Sequence, residues 1–183
     1  MLGYEDFKKI YDMLDNATPF VHDCAASLNC SEACCKVPED YDHDMGMYML
    51  PGEDVMHDLE DDWLNWRIAA YNEHDLPKEW KDRDDPIYVV MCCGPESCKR
   101  ELRPIQCRTF PLTPYMDEDG ALHIVKYPGH LPYTCPLITE NISVDKRFVE
   151  LVYEAWSILV ADEMIRQMVV HDSRFLHPKE YLI

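Results

Sequence analysis

The sequence predicts a small α+β domain, in which helices flank an irregular centre and a short antiparallel sheet. Three observations lead to this class. Apolar residues recur at helical spacing near both ends of the 183-residue chain. In the second half, a turn sequence between two strand-like segments predicts a hairpin. The nine cysteines lie between these elements, largely in segments broken by proline, and we expect such segments to be irregular.

The length predicts one domain that spans residues 1–183. Domains commonly contain ~100–200 residues, and no repeat, low-complexity segment or linker divides this chain. A chain of this size buries roughly 70% of its unfolded surface. A hydrophobic core is therefore expected alongside any cross-links made by the cysteines.

The N-terminal segment predicts an amphipathic helix over residues Tyr4–Asn16. Thr18-Pro19 should end it, because a residue before proline is disfavoured in the helical region. The apolar positions of this helix recur three or four residues apart and are Phe7, Ile10, Tyr11 and Leu14.

The central third predicts one helix and two strands. The helix begins near Glu53 and runs to Leu59 or beyond, because acidic residues are favoured at the positive end of the helix dipole. Residues 66–71 alternate weakly, as a strand does. Residues 87–91 are rich in branched and aromatic side chains and predict a stronger strand. Residues 37–46 and 72–85 are polar and predict loops.

The last third predicts a hairpin followed by a long helix. Asp117-Glu118-Asp119-Gly120 is a turn sequence between the strand-like segments PLTPYM and ALHIVKY. A helix should start at Val144-Asp145 and keep a 3.6-residue apolar stripe to Val160. Beyond Ala161 the stripe drifts, which predicts either a bend or burial on two sides. The tail from His171 to Ile183 has no clear pattern.

The formal net charge of -18 argues against nucleic-acid and anionic membrane partners, since both are bound by lysine and arginine. It favours solubility or, alternatively, attraction of a basic protein or peptide. No apolar run approaches the ~18 residues of a spanning helix, and the N-terminus is too charged for a signal peptide. We therefore expect a cytoplasmic protein, with its oligomeric state left open.

The cysteine pattern predicts a metal site. In a reducing compartment, cysteine clusters hold metal more often than they form disulfides, and nine cysteines cannot all pair within one chain. The C-x2-C knuckle typical of zinc ribbons is absent. Iron–sulfur clusters take four cysteines from separate segments. One four-iron four-sulfur cluster is therefore favoured over zinc.

The cysteines differ in how strongly they are predicted to be ligands. The first choices are Cys30, Cys34, Cys35 and Cys107. Cys98 and Cys135 come next, and Cys24 is divided between a ligand and a core residue. Cys92 follows a predicted strand and is interpreted as a buried apolar residue.

Basic residues and histidines near the cysteines have two interpretations each. The basic residues near the cysteines are Lys99, Arg100, Arg103 and Arg108. They either lower the pKa of nearby thiols or form ion pairs with the acidic surface.

Histidines are more often structural than ligating, and only His22 and His130 lie within five residues of a cysteine. No phosphate-binding loop or serine-nucleophile motif appears, so no catalytic residue is singled out.

Three strings in this chain resemble the YkgJ-type cysteine-cluster family. They are C-x3-CC at Cys30–Cys35, LPGED at Leu50–Asp54 and RPIQCRTFPL at Arg103–Leu112, and the similarity spans roughly residues 24–137. Members are described as zinc- or iron-chelating domains. The resemblance implies a bound metal, with the family's cysteine positions occupied here by Cys30, Cys34, Cys35 and Cys107. Flagellin lysine N-methylases look similar in this region, which implies dependence on an iron–sulfur cluster.

The sequence thus leaves three functions to separate. The leading prediction is a metal-binding protein that holds a four-iron four-sulfur cluster, with zinc as the alternative. A second is an iron–sulfur-dependent enzyme that modifies a basic peptide or performs redox chemistry on it. A third is a thiol-based redox sensor, which needs exposed cysteines of low pKa.

Overall fold

The α+β class is confirmed by a computed structural model, which describes residues 2–20, 24–28, 30, 32–36, 46–69, 76–80, 86–140 and 142–183. The helices of the described residues are α1 (Tyr4–Leu14), α2 (Cys24–Ser27), α3 (Ile105–Thr109), α4 (Pro136–Thr139), α5 (Lys146–Leu159) and α6 (Glu163–Ser173). The strands are β1 (Met47–Tyr48), β2 (Leu64–Ile68), β3 (Tyr88–Cys92), β4 (Leu112–Met116) and β5 (Leu122–Lys126). Most of the segments predicted as loops, 37–46 and 72–85, lie outside the described residues.

The first sheet has the order β1-β3-β2, with both outer strands antiparallel to β3. Val90 in the middle strand pairs with Met47 on one side and Trp66 on the other. The strand predicted at 87–91 is β3, displaced by one residue. The weaker strand is β2, which begins two residues earlier than predicted because Leu64 is buried beside Trp63 and Val90 in a small apolar cluster.

The predicted hairpin is β4 and β5, which pair antiparallel with Thr113 opposite Val125. The turn lies where the sequence places it. The Asp117 carboxylate accepts a hydrogen bond from the backbone N–H of Ala121 at 2.8 Å, and Gly120 has a φ of 81°. That left-handed conformation suits glycine, because it carries no Cβ.

The long C-terminal helix ends at Leu159, and a second helix begins at Glu163. Asp162 caps the second helix by accepting hydrogen bonds from the backbone N–H groups of Met164 at 3.0 Å and Ile165 at 3.4 Å. An aspartate before a helix satisfies N–H groups that have no partner within the helix. The drift of the apolar stripe beyond Ala161 therefore marks a helix break rather than a bend.

Two predictions of local structure were wrong. The helix expected from Glu53 to Leu59 is only a 3-10 turn, Glu53–Met56, because the chain returns to extended backbone at His57. The tail is not patternless: α6 continues to Ser173, and the last two residues bond to β5. The N–H of Leu182 donates to the carbonyl of Ile124 at 2.9 Å, and the N–H of Ile124 donates to that of Ile183 at 3.1 Å.

The main core lies where α1, α5 and α6 pack on the second sheet. Its largest side chains are almost fully buried and include Phe7, Ile10, Phe148, Trp156 and Ile165. The periodic positions predicted for α1 are all buried. Among the described residues, no helix combines the length and apolarity needed to cross a bilayer.

Candidate metal centre

Eight of the nine cysteines line a single cavity of about 490 Å³. They come from both ends of the predicted cysteine region and are Cys24, Cys30, Cys34, Cys35, Cys92, Cys98, Cys107 and Cys135. All nine cysteines lie within the described residues, and no disulfide bond joins any of them. Cavities of roughly 300–1,000 Å³ are typical of ligand sites. The fold thus brings all seven sequence-predicted cysteines, and Cys92 with them, to one space.

The first wall of the cavity is a tight turn that presents two consecutive cysteines. The N–H of Ala33 donates to the carbonyl of Cys30 at 3.1 Å, and residues Ala33–Cys35 form a 3-10 helix. Glu32 precedes it with a φ of 58°, a left-handed conformation that is uncommon outside glycine. In this turn the sulfurs of Cys34 and Cys35 lie 4.0 Å apart.

Strand β3 supplies the second wall by ending at Cys92. Gly94, with a φ of 106°, turns the chain, and its N–H lies 3.4 Å from the Cys92 sulfur. Cys92 is half-buried rather than enclosed in the core. The neighbouring Cys93 is the cysteine that does not line the cavity. It is exposed, and its thiol donates to the carbonyl of Asp62 at 3.4 Å.

Helix α3 carries Cys107 and is anchored at both of its ends. The buried carboxylate of Glu53 accepts a hydrogen bond from the N–H of Ile105 at 2.7 Å. Arg108 donates to the carbonyls of Arg103 at 2.7 Å and Glu101 at 2.6 Å. Its guanidinium also lies 4.3 Å from the centroid of the Tyr11 ring. These contacts fix the position of Cys107 on the cavity wall.

The four basic residues have different roles. Arg103 donates from Nε to the sulfur of Cys98 at 3.0 Å. Of the two interpretations offered by the sequence, this contact matches the one in which a basic residue acts on a nearby thiol. Lys99 pairs instead with Asp61 at 2.7 Å. Arg108 donates to backbone carbonyls, a role that no sequence pattern predicts. Arg100 acts on Cys35 through its charge.

The thiols lie in contrasting electrostatic environments. The sulfur–sulfur contact between Cys34 and Cys35, with the charges of Arg103 and Arg100, lowers the pKa of Cys35 to about 6. The same contact raises the pKa of Cys34. Burial, followed by the charge of Cys35, raises the pKa of Cys107 to about 12. The pKa of Cys35 thus lies well below that of Cys107, so Cys35 loses its proton at lower pH.

The role of Glu53 is not evident from the sequence. Its carboxylate is fully buried and accepts hydrogen bonds from the Tyr11 hydroxyl at 2.8 Å and from the N–H of Ile105. Burial raises its pKa to about 7. The Tyr11 hydroxyl also lies 3.1 Å from Nε2 of His57, whose pKa burial lowers to about 4. Glu53 lies in the LPGED string, but Ile105, whose N–H it binds, comes 52 residues later in the chain. The string itself therefore does not reveal this contact.

The two histidines singled out by the sequence gain no support as ligands. His22 lies outside the described residues. His130 is exposed and is not among the residues that line the cavity.

The sulfurs surround a cavity rather than meet at one point. Within the described ranges, no three His, Cys, Asp or Glu side chains form a group that could hold a metal ion. The lining is nevertheless rich in thiols, the donors preferred by iron–sulfur clusters and zinc. A cluster binds its cysteines through different iron atoms, so its ligands need not converge as closely as those of one ion.

No family model, curated protein or solved structure matches the chain. The resemblance to YkgJ-type proteins stays a prediction from the three sequence strings.

Proposed function

We propose that this protein binds a four-iron four-sulfur cluster in the cysteine-lined cavity, with zinc as the alternative metal. The observation that carries the proposal is the convergence of eight cysteines, from segments more than 100 residues apart, on one cavity. No disulfide occupies those thiols. In a chain with nine cysteines, such convergence is the arrangement that thiolate ligation requires.

Within the cavity lining we assign the metal to four cysteines, which we call the Cys107 site: Cys35, Cys92, Cys98 and Cys107. The charges that act on the Cys107 thiol come from Cys35, Arg103, Cys92 and Cys98. Those that act on Cys92 include Cys98 and Cys35. Three of these four were predicted as ligands from the sequence, and Cys92 is added because it lines the cavity.

Arg103 supports this assignment. Its hydrogen bond to the Cys98 sulfur brings a positive charge to the cysteine-lined cavity in a chain of net charge -18. A cluster with four thiolates is anionic, and hydrogen bonds to its sulfurs help to set its reduction potential. Arg103 is therefore placed to stabilise the loaded site.

The surroundings of the Cys107 site would limit solvent access. Trp63, Leu64 and Val90 form a small apolar cluster on which Cys92 and Cys98 pack. The Cys107 thiol lies 3.7 Å from the sulfur of Met47. A bound cluster supplies one-electron redox chemistry, and it also links distant segments. Ligation then contributes directly to the free energy of folding.

Anaerobic purification followed by iron, sulfide and zinc analysis tests the proposal. We expect brown protein with acid-labile sulfide and with iron, whose amount falls sharply in Cys107→Ser. Cys93→Ser is the matched control, because Cys93 lies outside the cavity lining, and it should keep the metal. Colourless protein with stoichiometric zinc would select the alternative metal. Wild-type protein that binds neither metal, or equal metal loss in both variants, would refute the Cys107 site.

A further inference from the structure

We propose that Cys34 and Cys35 form a thiol–disulfide exchange site, in which the two adjacent thiols close to a disulfide by reducing a low-molecular-weight disulfide such as oxidised glutathione. Their sulfurs lie 4.0 Å apart, and no disulfide bond occupies them. Closure brings the two sulfurs to about 2 Å. The exchange goes beyond the proposed function, because it needs no metal.

The turn that carries the two cysteines can follow such a closure. Residues Ala33–Cys35 form a 3-10 helix in which no residue is buried. The N–H of Cys35 donates to the carbonyl of Glu32 at 2.8 Å, and the N–H of Lys36 donates to that of Ala33 at 3.3 Å. Each of these bonds joins residues three positions apart, so the turn can adjust without moving the core.

The pair is open to a reagent from outside. Cys34 is exposed and Cys35 is half-buried, and both line the cavity. The thiolate of Cys34 attacks one sulfur of the external disulfide, and the first small thiol leaves with the proton that Cys34 has given up. Cys35 then attacks the Cys34 sulfur of the mixed disulfide and releases the second small thiol. Two protein thiols are thereby oxidised, and one external disulfide is reduced.

Closure of adjacent cysteines gives a labile bond rather than a structural one. A trans peptide bond holds neighbouring Cα atoms about 3.8 Å apart, whereas disulfides usually join Cα atoms about 4.4–6.8 Å apart. The closed pair is therefore strained, and strained disulfides are easily reduced. Excess small thiol should reopen it, which makes the exchange reversible.

The chain contains a second adjacent pair, Cys92 and Cys93, whose thiols have different partners. Cys92 ends strand β3 and lines the cavity, and its sulfur lies 3.4 Å from the backbone nitrogen of Gly94. The thiol of Cys93, outside the cavity lining, donates to the carbonyl of Asp62 at 3.4 Å. Successive side chains of a strand point to opposite faces. Adjacency alone therefore does not create an exchange site, and this pair is the matched control.

Closure should also compete with metal at the Cys107 site, and this consequence rests on the proposed function. Cys35 is one of the four ligands assigned there, and the thiolate is the form of cysteine that binds metal. A sulfur held in a disulfide is no longer a thiolate. Protein closed beforehand should therefore take up no metal until a thiol reductant is added, and loaded protein should resist closure.

Peptide mass spectrometry of the metal-free full chain tests the exchange. Cleavage after glutamate separates the two pairs: the only cysteines in residues 33–39 are Cys34 and Cys35, and the only ones in residues 80–96 are Cys92 and Cys93. After treatment with oxidised glutathione, most of the first peptide should lack two hydrogens, which dithiothreitol restores. The second peptide should keep both thiols or carry glutathione on the exposed Cys93. Urea should abolish this difference, because it depends on the folded chain.

Cys35→Ser sharpens the test, because it should stop the reaction at glutathione bound to Cys34. A wild-type first peptide that keeps both thiols, retains glutathione, or closes no more than the second peptide would overturn the exchange site. A disulfide that joins residues 33–39 to another peptide would overturn it as well. Closure in a chain that binds no metal refutes the Cys107 site alone. A metal-binding chain whose metal-free form does not close refutes the exchange site alone.

Discussion

The two sides of the cavity are built differently. Cys107 sits on a helix fixed by a buried carboxylate and by an arginine that binds three backbone carbonyls. The N-terminal cysteines lie on a four-residue helix, a loop and a 3-10 turn, held by short-range backbone bonds such as that from Ala33 to Cys30. A long-range hydrogen bond thus holds one side in place. Under the proposed function, the other side would gain most from ligation, because ligation contributes directly to the free energy of folding.

The largest expected effect comes from removing the anchor of the fixed side. Glu53→Ala leaves the Tyr11 hydroxyl and the N–H groups of Ile105 and Leu50 without their acceptor. Each buried donor left unsatisfied costs about 1–3 kcal/mol, so the free energy of unfolding should fall by roughly 4 kcal/mol. Urea denaturation of metal-free protein measures this loss.

Tyr11→Phe is the matched control for that experiment. It removes one hydrogen bond to Glu53 and should cost about 1 kcal/mol. A Glu53→Ala variant no less stable than Tyr11→Phe would show that the carboxylate does not hold α3.

Stability should also change with pH through Glu53. Its folded pKa, about 7, is raised above the ordinary value of 4.5, so the folded state binds the proton more tightly than the unfolded state. The stability contributed by protonation is fully present below about pH 4.5 and is lost as the pH rises through 7. His57 has the opposite sign, because its pKa is lowered from 6.5 to about 4.

Glu53→Gln isolates the carboxyl contribution, since His57 is present in both proteins. The stability of the wild type minus that of Glu53→Gln should decline between pH 4.5 and pH 7, as measured by urea titrations at each pH. A difference that stays constant across this range would contradict the raised pKa.

Local pattern and long-range contact explain what the sequence could predict. Helices α1 and α5 and the β4–β5 hairpin follow from periodicity and turn residues, which are properties of neighbouring positions. The 3-10 turn at Glu53 could not be predicted this way, because the side chain that ends up buried there is bound by Ile105, 52 residues later. The candidate site is limited in the same way. The sequence identifies the cysteines, but which of them line one cavity depends on contacts between segments that are distant in the chain.

A smaller effect is expected from the contact between Arg103 and Cys98. Arg103→Gln removes the positive charge beside the Cys98 sulfur. Loss of a residue that holds a metal ligand in place typically lowers metal affinity 10–100-fold, which corresponds to about 1.4–2.7 kcal/mol. Competition with a chelator measures the change. Lys99→Gln is the control, because Lys99 pairs with Asp61 rather than with a sulfur, and a similar loss in both variants would exclude a specific role for Arg103.

The smallest expected effect is a difference in thiol reactivity between the two sides of the cavity. Alkylating reagents react with the thiolate rather than with the thiol. The Cys35 pKa is lowered to about 6, whereas that of Cys107 is raised to about 12. In metal-free protein, iodoacetamide should therefore modify Cys35 at pH 7 while Cys107 stays largely unmodified, as quantified by peptide mass spectrometry. Cys34→Ser should slow the reaction of Cys35, because it alters the sulfur–sulfur contact that lowers this pKa most. Equal modification of Cys35 and Cys107 at pH 7 would mean that the cavity does not distinguish its two walls electrostatically.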